Sequence, residues 1–270
     1  MAKIGVCLET FFFDQDYRTR LENVAALGFR GYEFWLHNKR FDGTNVFDEM
    51  KDFGMLADMN AKHGLTCTDF VLNHSDGAIC ASLIDSKDRN LILDGLEAML
   101  VRAKKINCRH LVSASGDRVD GIVAQQALEN MITTLSEVAK ICARYDVTIL
   151  LEPFNTRVDH PHAFLDNPYT AVEVVKAVDH ANVKILFDIY HMQIMAGNIV
   201  DFVKENIQFI GHFHIAGVPG RHEPDSSELN YPFIVKEIEK LGYTGYFGLE
   251  YWPAIDHEES LRKIKSQFGV

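Results

Sequence analysis

Eight short apolar segments alternate with amphipathic segments along this 270-residue chain, and this alternation limits the possible folds more than any other feature. The amphipathic segments repeat apolar residues at helical spacing, which predicts helices. Strands that alternate with helices form right-handed crossover units and a parallel sheet. Eight such units in a chain of this length predict an α/β fold, a (β/α)8 barrel, with residues 1–270 in a single domain. The predicted strands are 4–9, 31–35, 66–72, 110–113, 148–152, 184–188, 209–214 and 246–250, and the predicted helices are 17–27, 91–103, 127–144, 171–178, 199–206 and 233–241.

An open, doubly wound sheet is the structural alternative to the barrel. It is disfavoured because no glycine-rich phosphate-binding turn follows the first predicted strand. The longest connections without helical periodicity, 36–48, 73–88, 155–168 and 216–231, all follow predicted strands. The loops that follow the strands of a parallel barrel build its active-site face. We therefore expect a site at this face that covers a substrate.

Charge and composition disfavour several classes of protein. The chain has 38 acidic and 27 basic residues, a net charge of −11, and no basic run, which disfavours a nucleic-acid partner. No apolar stretch approaches the ~20 residues of a membrane span, and the first residues lack the pattern of a secretory signal. The five cysteines are odd in number and show no C-x-x-C spacing, which is typical of reduced thiols. We therefore expect a cytoplasmic protein without membrane or nucleic-acid partners.

Four consecutive predicted strands end in side chains that can bind a metal ion: Glu152, Asp188, His214 and Glu250. Polar residues also end strands simply because the chain meets water there, but four in succession favour a shared role. Parallel strands bring their ends to one rim, so we expect these side chains to lie together. Three carboxylates and one imidazole suit a divalent cation of the Mg²⁺ or Mn²⁺ type, whereas a structural zinc ion is more often held by cysteines.

Further polar residues follow the predicted strands. His191 begins the loop after the sixth strand and could donate to a substrate oxygen, although a capping or core histidine fits the same position. Arg221 lies in a Pro/Gly-rich loop after the seventh strand, and its guanidinium could pair with a carboxylate or stay solvated. The remaining rim candidates, for each of which solvation or local turn bonding is the simpler explanation, are Glu9, Glu33, Asn73, His74, Asp117 and Arg157.

The second half of the chain resembles the hydroxypyruvate isomerase group of the xylose-isomerase-like TIM barrels. The matching stretches are 151–157 (LEPFNTR), 187–193 (FDIYHMQ), 211–224 (GHFHIAGVPGRHEP), 228–232 (ELNYP) and 248–251 (GLEY). The resemblance implies a (β/α)8 fold and a divalent metal ion bound by Glu152, Asp188, His214 and Glu250. It also implies that Glu152 and Glu250 are the acid/base pair.

Two positions depart from this group. Many hydroxypyruvate isomerases carry glutamine at the position of His214, where the related ketose 3-epimerases carry histidine. Glu9 stands where those isomerases typically have a small polar residue. Both departures concern the substrate and leave the proton-transfer chemistry unchanged.

The predicted function is an isomerase that interconverts hydroxypyruvate and 2-hydroxy-3-oxopropanoate (tartronate semialdehyde) through an enediolate. Arg221, with Arg157 second, would hold the substrate carboxylate, and His191 would donate to a substrate oxygen. Isomerisation moves hydrogen within one molecule, so no nucleotide or redox cofactor is expected. A ketose 3-epimerase or an isomerase of another small sugar or sugar acid is the alternative, and a homo-oligomer is compatible with the sequence. A nuclease of the same superfamily is disfavoured by the net charge, and a metal-dependent sugar-binding barrel is disfavoured by the presence of both glutamates.

Overall fold

Eight parallel strands close into a barrel in a computed structural model, which describes residues 2–41, 46–73 and 77–269. The barrel strands are β1 (Lys3–Cys7), β2 (Gly31–Phe34), β5 (Thr66–Val71), β6 (His110–Ala114), β7 (Thr148–Glu152), β8 (Val183–Asp188), β9 (Ile210–Ile215) and β10 (Tyr246–Leu249). Outside the barrel lies an antiparallel pair of strands, β3 (His37–Phe41) and β4 (Val46–Met50). The strand order around the barrel is β1-β10-β9-β8-β7-β6-β5-β2, which confirms the predicted (β/α)8 fold. His74, a rim candidate, lies outside the described residues.

Helices connect the barrel strands and pack against them. They are α1 (Tyr17–Ala26), α2 (Phe53–His63), α3 (Arg89–Lys105), α4 (Ala124–Ala143), α5 (Pro168–Val178), α6 (Ile189–Met195), α7 (Ile199–Asn206), α8 (Tyr231–Lys240) and α9 (His257–Phe268). Local sequence signals set their limits: Asp52 accepts hydrogen bonds from two backbone N–H groups at the start of α2, and Gly64 ends that helix in the left-handed conformation, φ 64°. No helix in the described part of the chain is long and apolar enough to cross a membrane.

Two strands and three α-helices in the described part of the chain differ from the sequence predictions. The connection 36–48 is predicted without regular structure, but it contains β3 and most of β4. Helices α2, α6 and α9 are not predicted, because each buries only a few apolar side chains. In α9 the only buried residues are Ser260, Leu261 and Ile264, so just two buried apolar side chains mark the helix in the sequence.

The main hydrophobic core lies between the barrel and its helices, and a second, smaller cluster consists of Val112, Leu150 and Leu186. These three residues alternate along β6, β7 and β8 with side chains of the main core, so they face the barrel interior. The opposite part of the interior is polar: Glu33 on β2, Asp69 on β5 and His212 on β9 are all buried.

Glycine at position 248 makes room for this polar group. Gly248 on β10 is the register partner of Gly5 on β1. A Cβ atom at position 248 would overlap the carboxylate of Glu33. The Glu33 side chain therefore occupies the space that the missing side chain leaves one layer below Glu250.

We predict that Gly248→Ala destabilises the fold by about 1–3 kcal/mol, the usual cost of overpacking a filled interior. Gly5→Ala is the matched control, because its Cβ would make only an ordinary contact, 3.4 Å from Thr68 Cγ2. Urea denaturation followed by circular dichroism measures both variants. Equal stability of the two would contradict the placement of the Glu33 carboxylate against Gly248.

Candidate active site

The structure brings together the four side chains predicted at the strand ends. Glu152 and Asp188 are the last residues of β7 and β8, His214 lies near the end of β9, and Glu250 follows β10 directly. One ligand atom of each residue lies within 4.8 Å of the others, and all four residues are buried. Strand alternation places them on the interior face at the carboxyl end of the barrel, where TIM barrels carry their active sites.

The donor atoms of this cluster fit a divalent cation. Glu152 Oε1, Asp188 Oδ2 and His214 Nδ1 are buried and have no hydrogen-bond partner among the described residues. Buried polar atoms are normally hydrogen-bonded, so several unpartnered atoms that converge call for another partner. Three carboxylates and one imidazole provide the oxygen-rich donor set that Mg²⁺ and Mn²⁺ prefer. The cluster is thus compatible with a metal site.

The carboxylates of the cluster are in different electrostatic environments. Burial raises the pKa of Glu152 well above its ordinary value, and Glu250 and Asp188 add to this rise. Burial also raises the pKa of Asp188, to about 6, against the opposing effect of Arg221. Burial opposes ionisation of Glu250 too, but Arg221 and then His214 outweigh it, so the pKa of Glu250 lies below its ordinary value.

Arg221 supplies positive charge to the cluster. Its Nη2 donates to Glu250 Oε2 at 2.5 Å and lies 3.7 Å from Asp188 Oδ2. The guanidinium also lies over the ring of Tyr190, 5.2 Å from its centroid. The predicted substrate-binding arginine therefore contacts two members of the cluster directly, and it borders the cavity above them.

His191 lies on the same cavity and is tied to the cluster by Asp188. The backbone N–H of His191 donates to Asp188 Oδ1 at 3.1 Å, which caps the start of α6. The Nε2 atom of His191 is 3.5 Å from Asp188 Oδ2. Burial, and then Arg221, lower the pKa of His191 well below its ordinary value, so the ring is neutral at physiological pH.

A second polar group lies beneath His214. Glu33 is predicted at the rim, but its carboxylate is inside the barrel, with Oε1 3.3 Å from His214 Nε2 and Oε2 3.3 Å from His212 Nε2. Asp69 Oδ2 is 3.2 Å from the same His212 nitrogen. Because Glu33 faces Nε2 of His214, the Nδ1 atom is left to face Glu152 and Glu250.

Other predicted rim residues are not brought to the cluster. Arg157 is exposed, and its Nη1 donates to the carbonyl of Ile194 at 2.9 Å. Glu9 is buried in an ion pair with Lys51, 2.6 Å away. Asn73 borders the cavity, but its side chain is fully used: it donates to the carbonyls of Ala81 and Ala114 and accepts from Ser113 Oγ and the N–H of Ala114. Asp117 is exposed in a short bridge with Ala163.

A cavity of about 110 Å³ opens above the cluster and has room for a small molecule. The indole N–H of Trp35 donates to Glu250 Oε1 at 3.1 Å, so both oxygens of this carboxylate have a donor. Nothing in the local sequence indicates this contact, because the two residues are 215 positions apart. Besides Glu152, Glu250, His191 and Arg221, the lining residues are Trp35, Val71, Asn73, Val112, Ala114, Phe154 and His160.

The fold and this site define a barrel whose buried acidic cluster faces a small cavity. Residues 21–267 match the family model described as xylose isomerase-like TIM barrel, and the chain belongs to this family. The resemblance drawn from the sequence motifs is thereby confirmed.

Named relatives identify the class of enzyme. The chain is 29% identical to the hydroxypyruvate isomerase of Escherichia coli, over 97% of this chain and 98% of the relative. It is 39% identical to a 2-oxo-tetronate isomerase of Cupriavidus necator, over 59% of this chain and 58% of the relative. A crystal structure titled AP endonuclease, family 2, from Brucella melitensis superposes with a TM-score of 0.87 at 30% identity, covering 98% of this chain and 99% of that one. The chain is an isomerase of this family.

We predict that Asp188→Ala abolishes the stabilisation of the protein by Mn²⁺. A ligand at a hundredfold excess over its Kd stabilises the folded state by about 2.7 kcal/mol, which is a shift in Tm of about 5 °C for a chain of this size. Thermal unfolding with and without Mn²⁺ measures the shift. Asp16→Ala is the control: it also removes a helix cap, but it lies at the start of α1, so the Mn²⁺ shift should persist. An unchanged shift in Asp188→Ala would remove this residue from the cation site.

Proposed function

We propose that this protein interconverts hydroxypyruvate and 2-hydroxy-3-oxopropanoate by proton transfer through an enediolate. The observation that carries the proposal is that two glutamates, Glu152 and Glu250, line one small cavity and form a buried cluster with Asp188 and His214. The reaction needs a proton to be taken from one carbon and a proton to be returned to its neighbour, and two glutamate side chains on one cavity can supply both transfers. Two relatives named as isomerases of small sugar acids support the same class of substrate.

Glu152, Asp188, Glu250 and the Nδ1 atom of His214 would hold the divalent cation. When bound, the cation polarises the substrate carbonyl and lowers the energy of the enediolate. The proton itself is moved by the chain: one glutamate carboxylate takes the carbon-bound proton, and the other delivers a proton to the adjacent carbon. Since hydrogen moves within one molecule, the reaction uses no nucleotide or redox cofactor.

Arg221 and His191 would bind the substrate. Arg221 lies between the cluster and the cavity, where its guanidinium can reach a substrate carboxylate while it still contacts Glu250. His191 presents Nε2 as a donor to a substrate oxygen. Arg157 is left out of the proposal, since its guanidinium is at the surface. A cavity of about 110 Å³ suits a substrate of a few carbons.

A ketose 3-epimerase or an isomerase of a longer sugar acid is the second candidate. The observation that favours it is the close contact between Arg221 and Glu250, because an arginine that is already paired is a weaker clamp for a substrate carboxylate. The same cluster and the same glutamates would serve that reaction. A nuclease function is disfavoured by the net charge of −11, which repels a polyanion.

Hydrogen exchange tests the proposal directly. NMR of hydroxypyruvate, 2-oxo-tetronate and neutral ketoses in D₂O with the Mn²⁺-loaded, then Mg²⁺-loaded, enzyme shows which carbon exchanges its hydrogen. We expect exchange at the hydroxymethyl carbon of hydroxypyruvate, together with formation of the aldehyde. Exchange at C3 of a ketose alone would establish the epimerase instead, and ligand binding without any exchange would indicate a binding protein.

We predict that Glu152→Gln and Glu250→Gln each lower turnover at least ~10²-fold, because each removes a group that transfers a proton. Glutamine keeps an oxygen that can bind a cation, so part of the Mn²⁺ stabilisation should remain. The double variant should be little worse than the worse single variant, since both residues act in one relay. In D₂O, one single variant should lose hydrogen exchange and the other should exchange without forming product. Near-normal turnover in both single variants would contradict proton transfer by these glutamates, and the cluster would then be a cation site only.

We predict that Arg221→Ala lowers kcat/KM for hydroxypyruvate about 10–100-fold more than for a neutral ketose, the usual effect of losing a hydrogen bond to a charged group. The ratio between the two substrates is the measurement, because loss of the contact with Glu250 affects every substrate alike. Equal losses on both substrates would show that Arg221 acts only through its contact with Glu250, and would favour the epimerase.

A further inference from the structure

We infer that Asn155 is a positioning residue that holds His191 as the tautomer with its proton on Nε2, so that this ring donates a hydrogen bond into the cavity. The inference rests on the proposed function only where it says that the Nε2 proton is donated to a substrate oxygen. The tautomer itself follows from contacts in the loop after β7. Asn155 is fully buried, and nothing in its sequence context distinguishes it from the other polar residues of that loop.

The orientation of the Asn155 amide is fixed by the backbone. Its Oδ1 accepts hydrogen bonds from the N–H groups of Val158 and Asp159, at 3.0 and 2.9 Å. A reversed amide would place its NH₂ group against both N–H donors, so the reversed orientation is excluded. The Nδ2 atom must therefore point the other way, where it lies 2.7 Å from Asp159 Oδ2 and 2.6 Å from His191 Nδ1.

This orientation determines which nitrogen of His191 carries the proton. An amide nitrogen only donates, so Nδ1 of His191 must accept with its lone pair. A neutral imidazole with an unprotonated Nδ1 carries its proton on Nε2. The Nε2 atom is buried and has no hydrogen-bond partner among the described residues, and its residue lines the cavity. A donor is thus held at the edge of the cavity, 3.5 Å from Asp188 Oδ2, and the described residues supply no hydrogen-bond acceptor for it.

The surrounding side chains hold the ring in the plane that this contact needs. The rings of Phe154 and His160 each pack edge-on against His191, with centroids 5.4 Å away. On the other side, Asp188 accepts from the backbone N–H of His191. In the opposite tautomer, the lone pair of Nε2 would face Asp188 Oδ2, 3.5 Å away, and would repel a substrate oxygen.

The tautomer can be read without any turnover assay. Long-range ¹H–¹⁵N correlation spectra of protein labelled with ¹⁵N-histidine distinguish the protonated from the unprotonated ring nitrogen, and loss of one signal set in His191→Gln assigns the ring. We expect Nδ1 to be unprotonated and Nε2 protonated. A protonated Nδ1 in the wild-type protein would overturn the inference, whatever the enzyme's substrate proves to be.

Asn155→Asp tests the control of the tautomer. An aspartate keeps the acceptor for both backbone N–H groups but faces Nδ1 with a second acceptor oxygen, so we expect Nδ1 to become protonated. Asp159→Asn added to this variant removes the repulsion between the two adjacent carboxylates and should leave the change at Nδ1 in place. Asn167→Asp is the matched control, since Asn167 caps α5 through the same kind of backbone contact and does not touch His191. An unprotonated Nδ1 in both the single and the double variant would overturn the inference.

Turnover connects the tautomer to the reaction. We expect kcat/KM to fall about 10–100-fold where Nε2 has lost its proton, as for loss of one hydrogen bond to a charged or polarised group. The stabilisation by Mn²⁺ should persist in these variants, since no cluster residue changes. Wild-type turnover by a protein whose Nε2 has lost its proton would overturn the positioning role. If the wild-type enzyme exchanges hydrogen on no substrate, the proposed function is rejected. The tautomer of His191 determined by NMR would not be affected by that result.

Discussion

The structure depends most on how it compensates the negative charge that is buried at the carboxyl end of the barrel. Glu152, Asp188 and Glu250 are all buried, and Glu33 and Asp69 lie in the interior below them. Buried carboxylates are strongly destabilising unless they are paired, protonated or bound to a cation. Arg221 compensates part of this charge, and the oxygens of Glu152 and Asp188 that have no partner among the described residues mark the part that a divalent cation would neutralise.

This requirement explains the division of the barrel interior. Three neighbouring strands, β6, β7 and β8, fill their part of the interior with Val112, Leu150 and Leu186. The opposite part contains Glu33 and His212, with glycines on β1 and β10 in between. The polar part supports His214 from below, and support of this kind by a second layer of carboxylates is a common way to orient a metal-binding histidine. The apolar part needs no such support, because Glu152 and Asp188 rise directly from strands packed by aliphatic side chains.

Sequence patterns predicted the barrel and the four rim residues, because both follow from strand alternation and a constant unit length. The sequence did not predict the location of Glu33. Its position on β2 was clear, but only contacts across the barrel, with Gly248, His212 and His214, show that its carboxylate lies inside. Two further contacts also join residues that are distant in the sequence, Trp35 with Glu250 and Asn155 with His191. No periodic pattern in the sequence predicts them. Helices α2 and α9 were missed because short amphipathic segments with few buried residues resemble ordinary surface sequence.

The site is also built so that its parts are not independent. Asp188 uses one carboxylate oxygen to cap α6 and so positions His191, which leaves the other oxygen for the cluster. Arg221 contacts Glu250 and borders the cavity, so it contributes to the charge balance and, in the proposed function, would also contact the substrate. A substitution at either of these positions therefore changes the cluster and the lining of the cavity together. Val71, Ala114 and Phe154 line the cavity without contributing a charged group, so a change of size there alters the space for the substrate while the cluster keeps its charge. If the proposed function holds, a change in the cavity wall would alter the choice of substrate and leave the proposed proton-transfer groups, Glu152 and Glu250, unchanged.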